Sequence, residues 1–98
     1  MRGEEYILLD DNLEDIFISA ARYAIGRRTH IVGTTVGVIL PIVSKLSNRA
    51  LSVILRDINS APGLGDEKID KPYWLLLRQR IEREIKERLR DEKNKGSN

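Results

Sequence analysis

The chain has 98 residues, enough for one domain with one modest core. It carries no cysteine, which excludes disulfides and thiolate metal sites, and its hydrophobic and charged contents of 41% and 33% fit a helical protein that folds in water. The net charge of +2 is unevenly spread, with one cation against six acids in residues 1–20 and six cations against Asp57 alone in residues 21–58; this points to an electropositive face, or to self-association of acidic start with basic middle.

The first residues lack a basic region followed by an apolar one, so no signal peptide is expected. The longest apolar run, Ile31 to Val43, is broken by glycine, threonine and proline. It is too short for a bilayer, which needs about 20 apolar residues. The expectation is a cytoplasmic protein with no membrane contact.

Residues 1–11 read as a lead-in, in which Tyr6 to Leu9 can pack as a short extended segment or a first turn. Asp10, Asp11 and Asn12 offer side-chain oxygens to free backbone N–H groups. The spacing then predicts a first helix over 13–25, with Leu13, Ile16, Phe17, Ala20, Ala21 and Ala24 as its apolar stripe. The small side chains of Ala20 and Ala24 let a partner helix come close. Gly26 suits the left-handed position that ends a helix. Arg27 and Arg28 follow, near the negative end of the helix dipole.

Residues 29–45 admit three readings: one kinked helix, two helices, or part strand. Val32, Val36, Ile39, Leu40, Val43 and Leu46 fit a helical period, whereas the β-branched run from Ile31 to Val38 suits a strand. The preferred reading is a helix from Thr29 or Thr34, kinked near Pro41, whose ring nitrogen has no hydrogen to donate. Being apolar almost all round, this segment should lie at the centre.

Ser47 is the expected N-cap of a third helix over 48–58, with Leu51, Ile54, Leu55 and Ile58 facing inward. Residues 59–65 form a breaker and loop. Asp70, or the residue after it, caps a fourth helix over 72–91, with Pro72 in its first turn. Tyr73 to Leu77 form a dense anchor in which Tyr73 and Trp74 are expected to pack inward. Farther on, Ile81, Ile85 and Leu89 are a narrow seam, and Glu82–Lys86 and Glu84–Arg88 are favourable pairs one turn apart. Residues 94–98 should be a frayed tail. The predicted fold is therefore all-α: a compact four-helix domain over 12–93 with a long, partly projecting C-terminal helix. Its core should hold Phe17, Val36, Ile39, Leu40, Val43, Leu51, Ile54, Leu55, Trp74, Leu77 and Ile81.

Catalytic patterns are lacking. There is one histidine, no serine in a nucleophile-elbow pattern, and no pair of histidines or carboxylates at metal-site spacing. A non-enzymatic protein without metal or cofactor is expected. Asp57, the lone acid of the basic middle, should pair with a nearby arginine. The sharpest candidate site is the corner formed by Arg22, Tyr23, Arg27, Arg28, Thr29 and His30. A helix starting near Thr29 would aim its free N–H groups at the same space as two guanidiniums, a phosphate-sized site. The alternative is that Arg27 and Arg28 only solvate a helix end. A second candidate is Asn48, Arg49 and Ser52 on the third helix, as in a DNA-reading helix. The third is an interface between chains, made by Ala20 and Ala24 on the first helix and Ile81, Ile85 and Leu89 on the fourth, giving a homo-oligomer.

The run Arg22-Tyr23-Ala24-Ile25-Gly26-Arg27-Arg28-Thr29, the β-branched stretch after it, Leu46-Ser47 and Leu55-Arg56-Asp57-Ile58 resemble a type of small α-helical accessory protein of bacteriophages and prophages. The resemblance covers residues 15–57, under half the chain, and His30 stands where an aromatic is expected. It implies a compact, cytoplasmic, non-enzymatic product that acts on host defence or host machinery by binding. The functional expectation is thus a binding protein that engages a phosphate-bearing ligand (nucleotide or nucleic acid) or an acidic surface through the arginine corner. The alternatives are a protein inhibitor of a host defence factor working through the fourth helix, and a helix-turn-helix-like DNA binder.

Overall fold

In this computed structural model, residues 11–25 and 30–96 are described, apart from the side chains of Asp11, His30 and residues 93–96. Among the described residues four α-helices follow one another: α1 (Asp11–Ala24), α2 (His30–Ile39), α3 (Asn48–Ser60) and α4 (Lys71–Gly96). A short 3-10 helix, Leu40–Lys45, links α2 to α3. No strand occurs among the described residues, so the architecture is the all-α four-helix domain that the periodicity predicts.

The β-branched segment is helical because of where it sits. Val32, Val36 and Ile39 are fully buried, and burial of this kind outweighs a weak local preference for strand. Pro41 does not kink a continuous α-helix. The chain instead tightens at Leu40 into 3-10 geometry, with the proline in its first turn. The backbone stays helical from His30 to Lys45, α-helical to Ile39 and 3-10 from Leu40, so no strand forms there and the change of helix type falls next to Pro41.

α1 begins at Asp11 and buries part of the predicted stripe, Ala21 and Ala24 fully, with Phe17 packed against the core. Leu13 and Ile16 are 43% and 60% exposed, whereas Glu14, Ile18, Ala21 and Ala24 point inward. The apolar pattern alone places Leu13 and Ile16 inside; the buried face is instead rotated a little, toward Glu14 and Ile18. α1 packs on α2 and α3, α4 packs on the same two, and the 3-10 helix packs on α2 and α4. α1 and α4 therefore stand at opposite corners of the bundle. Trp74, Ile39, Leu46, Leu51, Ile54, Leu77 and Ile81 fill the centre, while Phe17, Leu40 and Leu55 lie at its edge, half-buried.

The loop before α4 is built around two aspartates. Asp66 Oδ1 accepts from the N–H groups of Lys68 (2.8 Å) and Ile69 (3.0 Å). Asp70, expected as a helix cap, turns backward: its Oδ2 accepts from the Asp66 N–H at 2.9 Å and the residue is buried. The first turn of α4 does not need that cap. Lys71 N donates to Asp66 O, Pro72 has no N–H, and Tyr73 N and Trp74 N donate to Asp70 O. Gly65 makes the turn with φ +87°, and a Cβ there would stand 2.6 Å from Asp70 Oδ2, so glycine is required both for conformation and for space.

α4 continues to Gly96, past the predicted end near residue 91 and through part of the expected tail. Residues 92–95 contain no helix breaker, and the first is Gly96 itself. Its 26 residues span about 39 Å, most of the 47 Å long axis of the molecule. That is why its C-terminal end projects.

Candidate functional surfaces

The start of α3 is an interlocked polar cluster. Ser47 Oγ accepts from Ala50 N at 3.1 Å, the expected N-cap bond. Glu14 reaches across from α1, accepting from Ser47 N at 2.6 Å and from Ser47 Oγ at 2.8 Å. In a capping box a glutamate three residues into the same helix satisfies the N-cap N–H. Here Ala50 holds that position, and a glutamate from another helix does the work. Arg49 closes the cluster, with Nη2 3.6 Å from Glu14 Oε1 and 3.4 Å from Asp15 Oδ1. Asn48 Oδ1 accepts from Arg88 Nη1 at 2.7 Å. Two of the three residues expected to read DNA are thus held by the protein's own side chains, while Ser52 is exposed.

Arg88 is a second hub. Its Nη2 donates to the carbonyl of Leu46 at 2.8 Å, with those of Ser44 and Val43 at 3.3 and 3.5 Å, at the C-terminal end of the 3-10 helix. Its Nε donates to Glu84 Oε2 at 2.9 Å. Arg80 Nη1 lies 3.0 Å from the other Glu84 oxygen as an ion pair, off the direction of a straight hydrogen bond. Burial pushes the Glu84 carboxyl up, but Arg88 and Arg80 outweigh that push and hold it below the ordinary value. Of the two predicted pairs on α4, Glu84–Arg88 forms, and Glu82–Lys86 is not among the ion pairs of the described residues.

At the α1–α2 corner, Arg22 Nε is 2.7 Å from Asp57 Oδ2, the arginine partner expected for Asp57. Arg22 is therefore tied to α3. Tyr23 is 57% exposed. Arg27, Arg28 and Thr29 lie outside the described residues, and His30 opens α2. The corner's members are thus not shown converging on one point.

The candidate interface residues separate. Ala24 and Ile81 are fully buried in the protomer's own core, so they are not available to a second chain. Ala20 and Ile85 are half-buried, and Leu89 is 61% exposed. Leu89 borders a cleft of about 100 Å³ with Asn48, Ser52, Ile85, Arg88 and Glu92.

A larger surface lies where the sequence reading places only core. Tyr73 is 43% exposed and rests on α2, its Cζ 3.2 Å from where a Cβ on Gly33 would be. Only Trp74 of the two aromatics packs inward. Ile69 and Leu76 are 63% and 50% exposed, and with Lys68, Pro72 and Tyr73 they line an open depression of about 430 Å³. Helical arithmetic carries part of the signal: with Trp74, Leu77 and Ile81 facing in, Leu76 falls on the outer side and Tyr73 at the edge.

Among the described residues no three acidic, histidine or cysteine side chains gather as a metal site, and no helix is long and apolar enough to cross a membrane. The fold and these surfaces define a small all-α domain. No protein family, curated protein or solved structure was found to match the chain.

Proposed function

We propose that this chain is a non-enzymatic binding protein that engages a protein partner through the apolar face at the start of α4. The observation that carries this is the exposure of Ile69, Tyr73 and Leu76 around one depression. Scattered apolar side chains on a surface mean little, but a contiguous group rimmed by charge marks an interaction site. The resemblance to phage accessory proteins supplies a partner class, a host protein of defence or machinery. This keeps α4 as the working element but moves the site from Ile85 and Leu89 to the helix's other end. Leu76→Glu changes a half-exposed position, so melting should move little. A partner captured by the wild-type protein and lost by this variant, at unchanged melting temperature, supports the reading. Equal capture by both overturns it.

The arginine corner is the second reading, with a nucleotide, a nucleic acid or an acidic surface as ligand. It is favoured by the start of α2 at His30, directly after Arg27, Arg28 and Thr29, and by the lack of any acid in that helix's first turn. The helix dipole there favours an anion. Native mass spectrometry of gently purified protein should then show a retained nucleotide or oligonucleotide that the Arg27→Ala, Arg28→Ala double variant loses. Retention by the double variant excludes the corner. DNA reading by α3 has least support, since Asn48 and Arg49 are held internally.

A further inference from the structure

The seam Ile81, Ile85, Leu89 on α4 passes from fully buried through half-buried to 61% exposed. Its outer end borders the cleft between α3 and α4, which Asn48 and Ser52 line from the α3 side. Among the described residues that line this cleft, only Ile85 and Leu89 are apolar. The cleft has room for a leucine-sized side chain, and such a side chain would continue the seam outward.

The chain enters the described residues beside this cleft. Asp11 stands one turn, about 5 Å, ahead of Glu14. Glu14 accepts from the N–H of Ser47 at 2.6 Å, and the next residue, Asn48, lines the cleft. The residues before Asp11 contain the one apolar run outside the described residues, Tyr6-Ile7-Leu8-Leu9. Extended chain spans about 3.3 Å per residue, so this run lies between about 7 and 17 Å of chain from Asp11. A rival seat is the outer side of α1, where Ile16 is 60% exposed. That side is the convex surface of a single helix. A side chain in the cleft touches α3 and α4 at once and so gains more van der Waals contact. The apolar face at the start of α4 is farther away: Leu76 stands about 18 Å along the helix from Arg88, which ties α4 to Asn48.

From the reach of this segment and the apolar wall it meets, we infer that residues 6–9 dock in the α3–α4 cleft of their own molecule, setting an aliphatic side chain against Ile85 and Leu89. The segment completes the seam that α4 carries out of the core. Ile85 and Leu89 are then covered from within the chain and do not form a contact between chains. The site lies at the other end of α4 from the face at Ile69, Tyr73 and Leu76, and it stands whether or not that face takes a partner.

Nuclear Overhauser contacts between methyl groups test this on the full wild-type chain. The methyl groups of Ile7, Leu8 or Leu9 should show contacts with those of Ile85 and Leu89. In a mixture of labelled and unlabelled chains, an isotope filter that passes only contacts between molecules should remove them. The triple variant Ile7→Ser, Leu8→Ser, Leu9→Ser should shift the Ile85 and Leu89 methyl resonances. Those of Leu51 and Leu77, fully buried in the core, should stay in place and show that the fold is kept. Contacts with Ile16 in place of Leu89 would seat the segment along α1 and overturn the inference. Contacts that pass the filter would give the cleft to a second copy and overturn it too. The same holds if residues 7–9 show no contact with the cleft, or if the Ile85 and Leu89 resonances ignore the triple change.

Discussion

A single carboxylate ties α1 to the start of α3. Glu14 is 1% exposed and supplies acceptors for both the N–H and the hydroxyl of Ser47. Removing one partner of a buried hydrogen bond leaves the other unsatisfied, which costs more than the bond itself contributes. Glu14→Ala should therefore lower unfolding stability by about 2–3 kcal/mol, the range for hydrogen bonds to a charged group. Ser47→Ala should cost about 1 kcal/mol or somewhat more, as for loss of an N-cap. The double variant should be less destabilised than the sum of the two, since both break the same cluster. Urea titration followed by the fluorescence of Trp74, the one tryptophan of the chain and fully buried, reads all three. Strict additivity would show that Glu14 does not act through Ser47. Gly65 is the other position where one residue sets local structure. Gly65→Ala forces a Cβ toward Asp70 at positive φ, and about 1–2 kcal/mol should be lost in the same titration.

At the scale of elements, Arg88 joins α4 to the 3-10 helix and to α3, so it fixes the angle at which the longest helix leaves the bundle. Arg88→Met keeps the aliphatic stem and removes the bonds to Leu46, Asn48 and Glu84. A loss of roughly 2–3 kcal/mol is expected for these charge-assisted bonds. The same change should alter the acid response. Glu84 titrates below its ordinary value of 4.5 in the folded protein, so at pH below that value the unfolded chain holds more protons. Its contribution is complete at neutral pH, shrinks as the pH falls through 4.5, and is gone once the folded protein is protonated too. In Arg88→Met the stability lost between neutral and acid pH should be smaller than in wild type. An identical loss would assign the acid response to other groups. The four helices and the Ser47 cap are legible in the sequence, because apolar period and capping chemistry are local. The turn of α1, the second piece after α2 and the α4 face are not. Each depends on a partner distant in sequence: Ser47 for Glu14, Arg88 for the carbonyls after Pro41, Gly33 for Tyr73. A run such as Tyr73 to Leu77 reads as core throughout until its neighbours show which side faces them.

The whole molecule has a packed body and a projecting rod. Along α4 the inward contacts end with Ile85 and Arg88, while Leu89, Arg90, Asp91 and Glu92 are exposed. The described side chains beyond Arg88 add little packing, so that stretch rests mainly on helix propagation. The fold should be indifferent to it. A chain ending at Arg90 should unfold cooperatively within about 0.5 kcal/mol of the full protein, as surface changes usually do. A chain ending at Glu87 differs by only three further residues, yet it loses the guanidinium that serves Leu46, Asn48 and Glu84. It should fall by roughly 2–3 kcal/mol, close to the Arg88→Met value. Comparing the two truncations by urea titration separates the rod from the hub. If both are equally mild, the Arg88 network adds little to folding and the body is held by its apolar core alone. If both are equally severe, the exposed end contributes packing that the monomer does not display, and contact with another molecule becomes the place to look for it.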